Sequence, residues 1–462
     1  MRKILLTISR GWIARNLLHN EFYKILRENC ELIIITTAAD SDRFIGEFSH
    51  PNVRFIAMDE KGHNSLDALI FFFHKNLIYN STVDQKNRWG IIGDPKSRKP
   101  IFFFYLIKKI IFIPLSKMKF LRELFRLVDY FFLQKNEVNK YLKVLDREKP
   151  DLVLSTNVYS DSEAALIKAA RKRKIFTLGI PKSWDNSNKN GLRAKTDVMF
   201  VWSEFMADEV IKYQNYKDKK VKILGIPQFD DYTDKNLIMN RKEFCEIYEL
   251  DPGRRIIFFG SEGKLLPTDA EIADIIYEDI LTNKFNEPSQ LLVRPHFGYK
   301  DDDLKFKSLF GRDRVVVDRL NNPSDCFRDS WDYSSEFTKR FVNCLYHSDV
   351  IVSTYSTLTL DGAAFDKPLI NIAFDGRKFV PYDRSVARWE MATYFKKVLN
   401  TGAVWNVNNV SELRNAINSY FDNPSKLSKE RELLRARFCF KIDGQSGKRF
   451  ANEVLNLLRA SS

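Results

Sequence analysis

Apolar strand-like runs alternate with helical patterns along this chain from end to end. A strand covered by helices on both faces must be apolar throughout, so this alternation predicts parallel α/β structure. Strands are expected at 3–9, 32–38, 53–58, 151–155, 175–179, 197–202 and 221–224, then at 254–260, 290–294, 314–318, 349–353 and 368–373. Amphipathic helices are expected at about 410–421 and 447–459. A chain of 462 residues exceeds one ordinary core. The expected division is 1–232, with a helical insertion at about 65–149, a polar link at 233–253, and 254–462, whose last helix is a candidate to cross back. Two such doubly wound, Rossmann-like domains would meet at a cleft formed by the carboxyl ends of their strands.

Composition removes several classes of function. Cys30, Cys245, Cys326, Cys344 and Cys439 are scattered and lack metal-site spacing, which suits a reducing cytoplasm and argues against a disulfide framework. His numbers six, with no clustered pair, so no metal site is expected. The first residues, Met1 to Arg10, read as a strand rather than a signal peptide.

The formal charge of +14 calls for a partner. Its densest source is 91–150, with 14 Lys/Arg against 6 Asp/Glu. Within it, about 101–126 interleaves Lys108, Lys109, Lys117 and Lys119 with Phe and Ile, in apolar runs too short to span a bilayer. Two readings stay open, a helix on an anionic membrane surface and a core helix pair with a solvated rim. No nucleic-acid motif accompanies the charge, so nucleic acid is not an expected partner.

Candidate chemistry gathers at expected strand ends. Val350-Ile-Val-Ser-Thr-Tyr-Ser-Thr-Leu-Thr-Leu-Asp361 reads as a strand, a hydroxyl-rich turn and a helix start. Ser356 and Thr357 there suit a phosphate, and Asp361, a turn further on, suits a ribose. The alternative is that they cap the helix and complement its dipole. Pro181-Lys-Ser-Trp-Asp-Asn-Ser-Asn-Lys189 follows another strand. Asp185 is the first candidate for a general base, with Trp184, Asn186 and Lys189 beside it, and an Asx-rich turn is the plain alternative. Gly225-Ile-Pro-Gln-Phe-Asp230 suggests a turn at the cleft floor with Asp230 facing across. Gly260 and Ser261, in Phe-Gly-Ser-Glu-Gly-Lys264, would let a diphosphate approach the backbone. Arg294-Pro-His296 ends a strand with a guanidinium and an imidazole suited to a departing phosphate.

Taken in order, these segments resemble the GT-B superfamily, and most closely the CDP-glycerol glycerophosphotransferase-like (teichoic-acid polymerase-like) family. That family shows W-H-G-T-P-x-K, G-x-P-R-x-D, a basic-Pro-His segment, and S-D-Y-S-S-x-x-x-D ahead of K-P. The counterparts are Trp184 to Gly191, Gly225 to Asp230, Arg294 to His296, and Ser353 to Asp361 with Lys367-Pro368. The likeness covers about 180–376. It implies a nucleotide-linked donor on the C-terminal domain, held by Arg294, His296, Ser356, Thr357 and Asp361. It implies an acceptor near Asp185, on the N-terminal side.

Two departures stand out: Asp185 where the family has His, and Gln228 where it has Arg. An Asp base suits attack on an anomeric carbon, so the expectation is an inverting, metal-independent glycosyltransferase without a cofactor. Its partners would be a nucleotide-sugar donor and a glycan or lipid-linked acceptor, and its place the inner face of the plasma membrane. The alternatives are glycerol- or ribitol-phosphate transfer from a CDP-alditol, a non-hydrolysing UDP-sugar 2-epimerase, and a non-catalytic nucleotide-sensing module.

Overall fold

The computed structural model describes residues 1–58, 65–92 and 102–460. Two parallel sheets organise it. The first runs β1 (Arg2–Ile8), β2 (Cys30–Thr36), β3 (Val53–Ala57), β4 (Leu152–Ser155), β5 (Phe176–Gly179), β6 (Val198–Val201) and β7 (Val221–Ile223), in spatial order β3-β2-β1-β4-β5-β6-β7. The second has β8 (Arg255–Gly260), β9 (Ser289–Arg294), β10 (Val315–Val317), β11 (Val350–Ser353), β12 (Leu369–Ile372) and β13 (Trp405–Val407), in order β10-β9-β8-β11-β12-β13. In each sheet the order reverses beside the first strand, and that switch point opens a crevice at the strands' carboxyl ends. The strand β13 and a helix at Ser428–Phe438 went unread in the sequence because a three-residue strand and a charge-rich helix carry weak patterns.

Outer faces of the two sheets are closed separately, by Leu5, Ile33 and Val153 in one and by Ile257, Phe259 and Val352 in the other. The inner faces share one continuous core that takes in Ile4, Leu154, Phe258, Ile351 and Leu360. The last helix, Ser446–Ala460, lies against the first sheet's side, where Phe450 meets Phe22 and Phe200 edge-on.

Between β3 and β4 the chain passes through helices at Ser65–Asn76, Ser81–Trp89, Phe102–Lys117, Lys119–Phe132 and Lys135–Glu148. Ile101 and the basic stretch 93–100 lie outside the described residues. Helix Lys119–Phe132 is built inside out. Its inner face buries Arg122, Arg126 and Asp129, while Phe120, Leu124, Leu127 and Phe131 stand in the open, half or more exposed. The buried charges are all partnered. Asp129 accepts from Arg193 at 2.8 Å and pairs with Lys168, and Arg122 donates to the carbonyls of Lys212 and Tyr213 at 3.0 Å. Breaking such a pair would strand an uncompensated buried charge, so this face is pinned inward.

Candidate active site

The carboxyl ends of the two sheets enclose a cleft of about 520 Å³. Register sets its second wall: Gly260 of β8 lies between Arg294 of β9 and Ser353 of β11. A Cβ at Gly260 would stand 2.3 Å from the Leu358 side chain, which would have to move aside. Another hollow, about 460 Å³, runs along the outer edge beside β10 and holds none of the candidate residues.

Asp185 sits in the first wall, its side chain 21% exposed. Burial pushes its carboxyl up, but Lys189 pairs with it one turn on, and the net result lies below the usual carboxylate range. Lys189 in turn lies 3.9 Å over the Tyr394 ring and is held charged by the same carboxylate. Asn186 is buried and gives its amide to Asp185 at 3.2 Å. This segment therefore places an ionised carboxylate at the cleft wall with its counter-ion attached.

Trp184 is not a cleft-wall residue. Its indole is 1% exposed, packed among Phe205, Tyr394 and Phe438, and its N–H donates to Thr357 Oγ1 at 3.2 Å. A large aromatic in an otherwise polar turn was needed to seal the joint between the two sheets' segments. Asp230 also departs from the expectation. Rather than facing across the cleft, it accepts the amides of Ser446 and Gly447 at 2.9 and 2.7 Å, satisfying the exposed N–H groups of the last helix. Its neighbour Asp231 lines the cleft instead, pushed up to about 7 by burial and by repulsion from Asp230 and Asp234.

On the second wall Arg294 is buried among the rings of Phe297, Phe337 and Phe341, and one of its nitrogens donates to Asp318 at 2.7 Å. His296 follows it. Burial lowers its imidazole to about 4, and its Nδ1 is buried without a hydrogen-bond partner. It is therefore a neutral ring near pH 7 and supplies no positive charge to a phosphate. Ser261 is a departure too. Its hydroxyl lies between the Asp269 and Asp302 carboxylates at 2.9 and 3.0 Å and accepts the Gly263 amide, so it shapes the loop rather than waiting for a ligand.

The turn after β11 leads into a short helix, Leu358–Ala364. Ser356 Oγ accepts the Leu358 amide at 3.2 Å, and Thr357 takes the Trp184 indole. Asp361 receives the Tyr232 hydroxyl at 2.7 Å, and burial raises its carboxyl to about 6. Sequence reasoning missed Arg15, Lys182 and Glu262, which also line the cleft. Arg15, stacked on Trp331 at 4.9 Å, follows directly from its place in the first helix after β1, a signal available in the order of the elements. Glu262 carried no signal of its own.

A two-sheet α/β chain with a nucleotide-sized cleft between facing strand ends has the GT-B architecture. This chain belongs to the CDP-Glycerol:Poly(glycerophosphate) glycerophosphotransferase family, whose pattern matches residues 180–456. It is an enzyme of the transferase class. No curated protein matches it. Among solved structures it is similar to a putative UDP-N-acetylglucosamine 2-epimerase from Listeria monocytogenes, at 12% identity and TM-score 0.55, covering 100% of this chain and 97% of that one. The UDP-GlcNAc 2-epimerase of Methanocaldococcus jannaschii, in complex with UDP-GlcNAc and UDP, gives 13% and 0.53 over 99% and 100% of the chains. The wall teichoic acid polymerase TagF gives 10% and 0.50 over 99% and 89%. At such identities these likenesses speak for the fold alone.

Proposed function

We propose that this chain transfers a sugar from a nucleotide-sugar donor to a membrane-linked or polymeric cell-surface glycan, inverting the anomeric centre without a metal. The observation that carries this reading is Asp185. Its carboxylate lines the cleft, at the position that the resemblance pairs with the family's histidine, and an aspartate is suited to take a proton from a hydroxyl attacking carbon. The nucleotide would lie along the second wall, with Arg294 and the Ser356 turn near its phosphates and Asp361 near its ribose. A bound diphosphate would draw Lys189 toward itself and release Asp185 to act. If purified Asp185→Asn transfers sugar within about tenfold of the wild-type rate, Asp185 is not the base.

Family membership favours a second reading, glycerol- or ribitol-phosphate transfer from a CDP-alditol. His296, a neutral imidazole in the cleft, would then be the base. Thermal shifts with CDP-alditols against nucleotide-sugars separate the two, since a ligand of the folded state raises the melting temperature with its occupancy. An epimerase would instead turn over a UDP-sugar with no acceptor present.

The acceptor's membrane location rests on the inside-out helix. Phe120, Leu127 and Phe131 of that helix are exposed, as are Phe103 and Ile110 of the helix before it, in a stretch of chain that also carries Lys108, Lys109, Lys117 and Lys119. Among the described residues no helix is long and apolar enough to cross a membrane. A surface of this kind suits the interface of an anionic bilayer, reached from the cytoplasm.

A further inference from the structure

Resting on the nucleotide-dependent transfer just proposed, we infer that Glu262 is a catalytic acid. In this role it stands on the donor wall, hydrogen-bonds the leaving phosphate as a neutral carboxyl, and gives it a proton as the bond to the transferred group breaks.

The placement of Glu262 is built, not incidental. It directly follows Ser261 after β8, and its own amide donates to Asp269 at 2.8 Å. Lys305 ties the same loop to the Gly263 carbonyl at 2.9 Å, to Asp269 at 3.3 Å and to Asp302 at 3.2 Å. The Asp302 carboxylate also receives the His296 amide at 2.8 Å, locking the loop after β8 to the end of β9. Gly263 completes the turn at φ +74°, where a Cβ would meet the Tyr299 ring at 2.3 Å. With its backbone held on both sides, Glu262 lines the cleft together with Ser356, whose hydroxyl favours the ionised carboxyl. It lines the same cleft as Asp185 and Tyr299, and its carboxyl feels the charges of Asp185 and Lys189.

The charges around it favour the neutral acid. Burial, then Asp269 and Asp185, raise the carboxyl, while Ser356 and Lys189 oppose, and the balance is about 8. Asp185 is driven the other way by Lys189. Two carboxyls whose surroundings push them apart, one kept ionised and one kept protonated, are suited to be base and acid of one reaction. An ionised Glu262 would also repel a diphosphate beside Ser356, which a neutral one does not.

In the step, a lone pair of the acceptor oxygen forms the new bond to the anomeric carbon. The bond from that carbon to the phosphate oxygen breaks, its electron pair remaining on the oxygen. The acceptor proton passes to Asp185 and the Glu262 proton to the phosphate oxygen. Solvent then takes a proton from Asp185 and returns one to Glu262.

The test is calorimetric titration of full-length wild type and Glu262→Gln with CDP and with UDP at pH 7 and pH 9, alongside transfer rates. The glutamine keeps a neutral donor in place, and thermal melts check that it folds. For wild type the affinity of the bound nucleotide should weaken about tenfold between these pH values, as the protonated fraction falls through 8. Glu262→Gln should bind with little pH dependence yet lose about 100-fold in turnover, with the alkaline limb of its rate profile gone. Ser356→Ala, which removes a donor to the ionised form, should move the wild-type affinity loss to higher pH. Nucleotide binding with the same pH dependence in wild type and Glu262→Gln would overturn the assignment of Glu262 while leaving the transferase reading intact. Failure of both nucleotides to bind would overturn both.

Discussion

Tyr232, in the turn after β7, donates its hydroxyl to Asp361, in the helix after β11, at 2.7 Å. The bond joins the segments carrying the two sheets at the floor of the cleft. It also occupies the carboxylate proposed to meet the ribose, so a nucleotide bound in that way would share Asp361 with Tyr232 or displace it.

Tyr232→Phe should therefore loosen the joint. Asp361 is raised to about 6 by burial, so the folded protein holds its proton longer than the unfolded chain. Stability falls as pH rises from the ordinary carboxylate range through 6 and is flat above, because the ionised form is the penalised one. The Tyr232 hydroxyl offsets part of that penalty. Its removal should cost about 1 kcal/mol at pH 7.5 and less at pH 4.5, read from denaturant unfolding at the two pH values.

Trp184 should behave as core and not as an acceptor contact. Trp184→Ala is expected to cost about 3–5 kcal/mol through the cavity left among Phe205, Tyr394 and Phe438. Trp184→Phe, which loses mainly the bond to Thr357, should cost about 1 kcal/mol and leave the acceptor KM unchanged. A rise in acceptor KM with no loss of melting temperature would return Trp184 to the cleft.

Lys189→Met should raise the Asp185 carboxyl, since burial would act on it with its chief opposing charge gone. The depressed carboxyl of the wild type adds stability above the unfolded value that is lost as pH falls through the folded one. The variant should give up that contribution and show an acid limb of the transfer rate displaced to higher pH. An unmoved limb would mean that Asp185 does not carry it.

The exposed apolar surface should bind vesicles. Flotation with anionic liposomes at low salt should carry the protein upward, and salt should weaken the association by screening the lysines. Serine at Phe103, Ile110 and Phe120 together should lower partitioning by at least about tenfold for each side chain that fully inserts. Unchanged flotation in that variant would assign the surface to something other than lipid.

Much of the fold was legible because the strands are covered on both faces. Runs such as Leu32–Ile35 and Ile256–Phe259 have no polar residue to confuse their reading, and the motifs at their carboxyl ends marked the cleft. Individual roles were less legible. The Asp-Asp pair at 230 and 231 offers two identical side chains, and chain direction alone decides that Asp230 caps a helix more than 200 residues away while Asp231 lines the cleft.

The sequence by itself determined the architecture and the family, because strand burial and strand-end motifs are properties of local runs. Tertiary structure alone decided which polar side chains remain open to a ligand. Ser261 is tied to Asp269 and Asp302 and Trp184 to Thr357, while Glu262, and Arg294 with one nitrogen on Asp318, line the cleft. Each of those outcomes depends on a partner distant in the chain. A buried polar group must find such a partner to offset its desolvation, and no local pattern records which one it will meet.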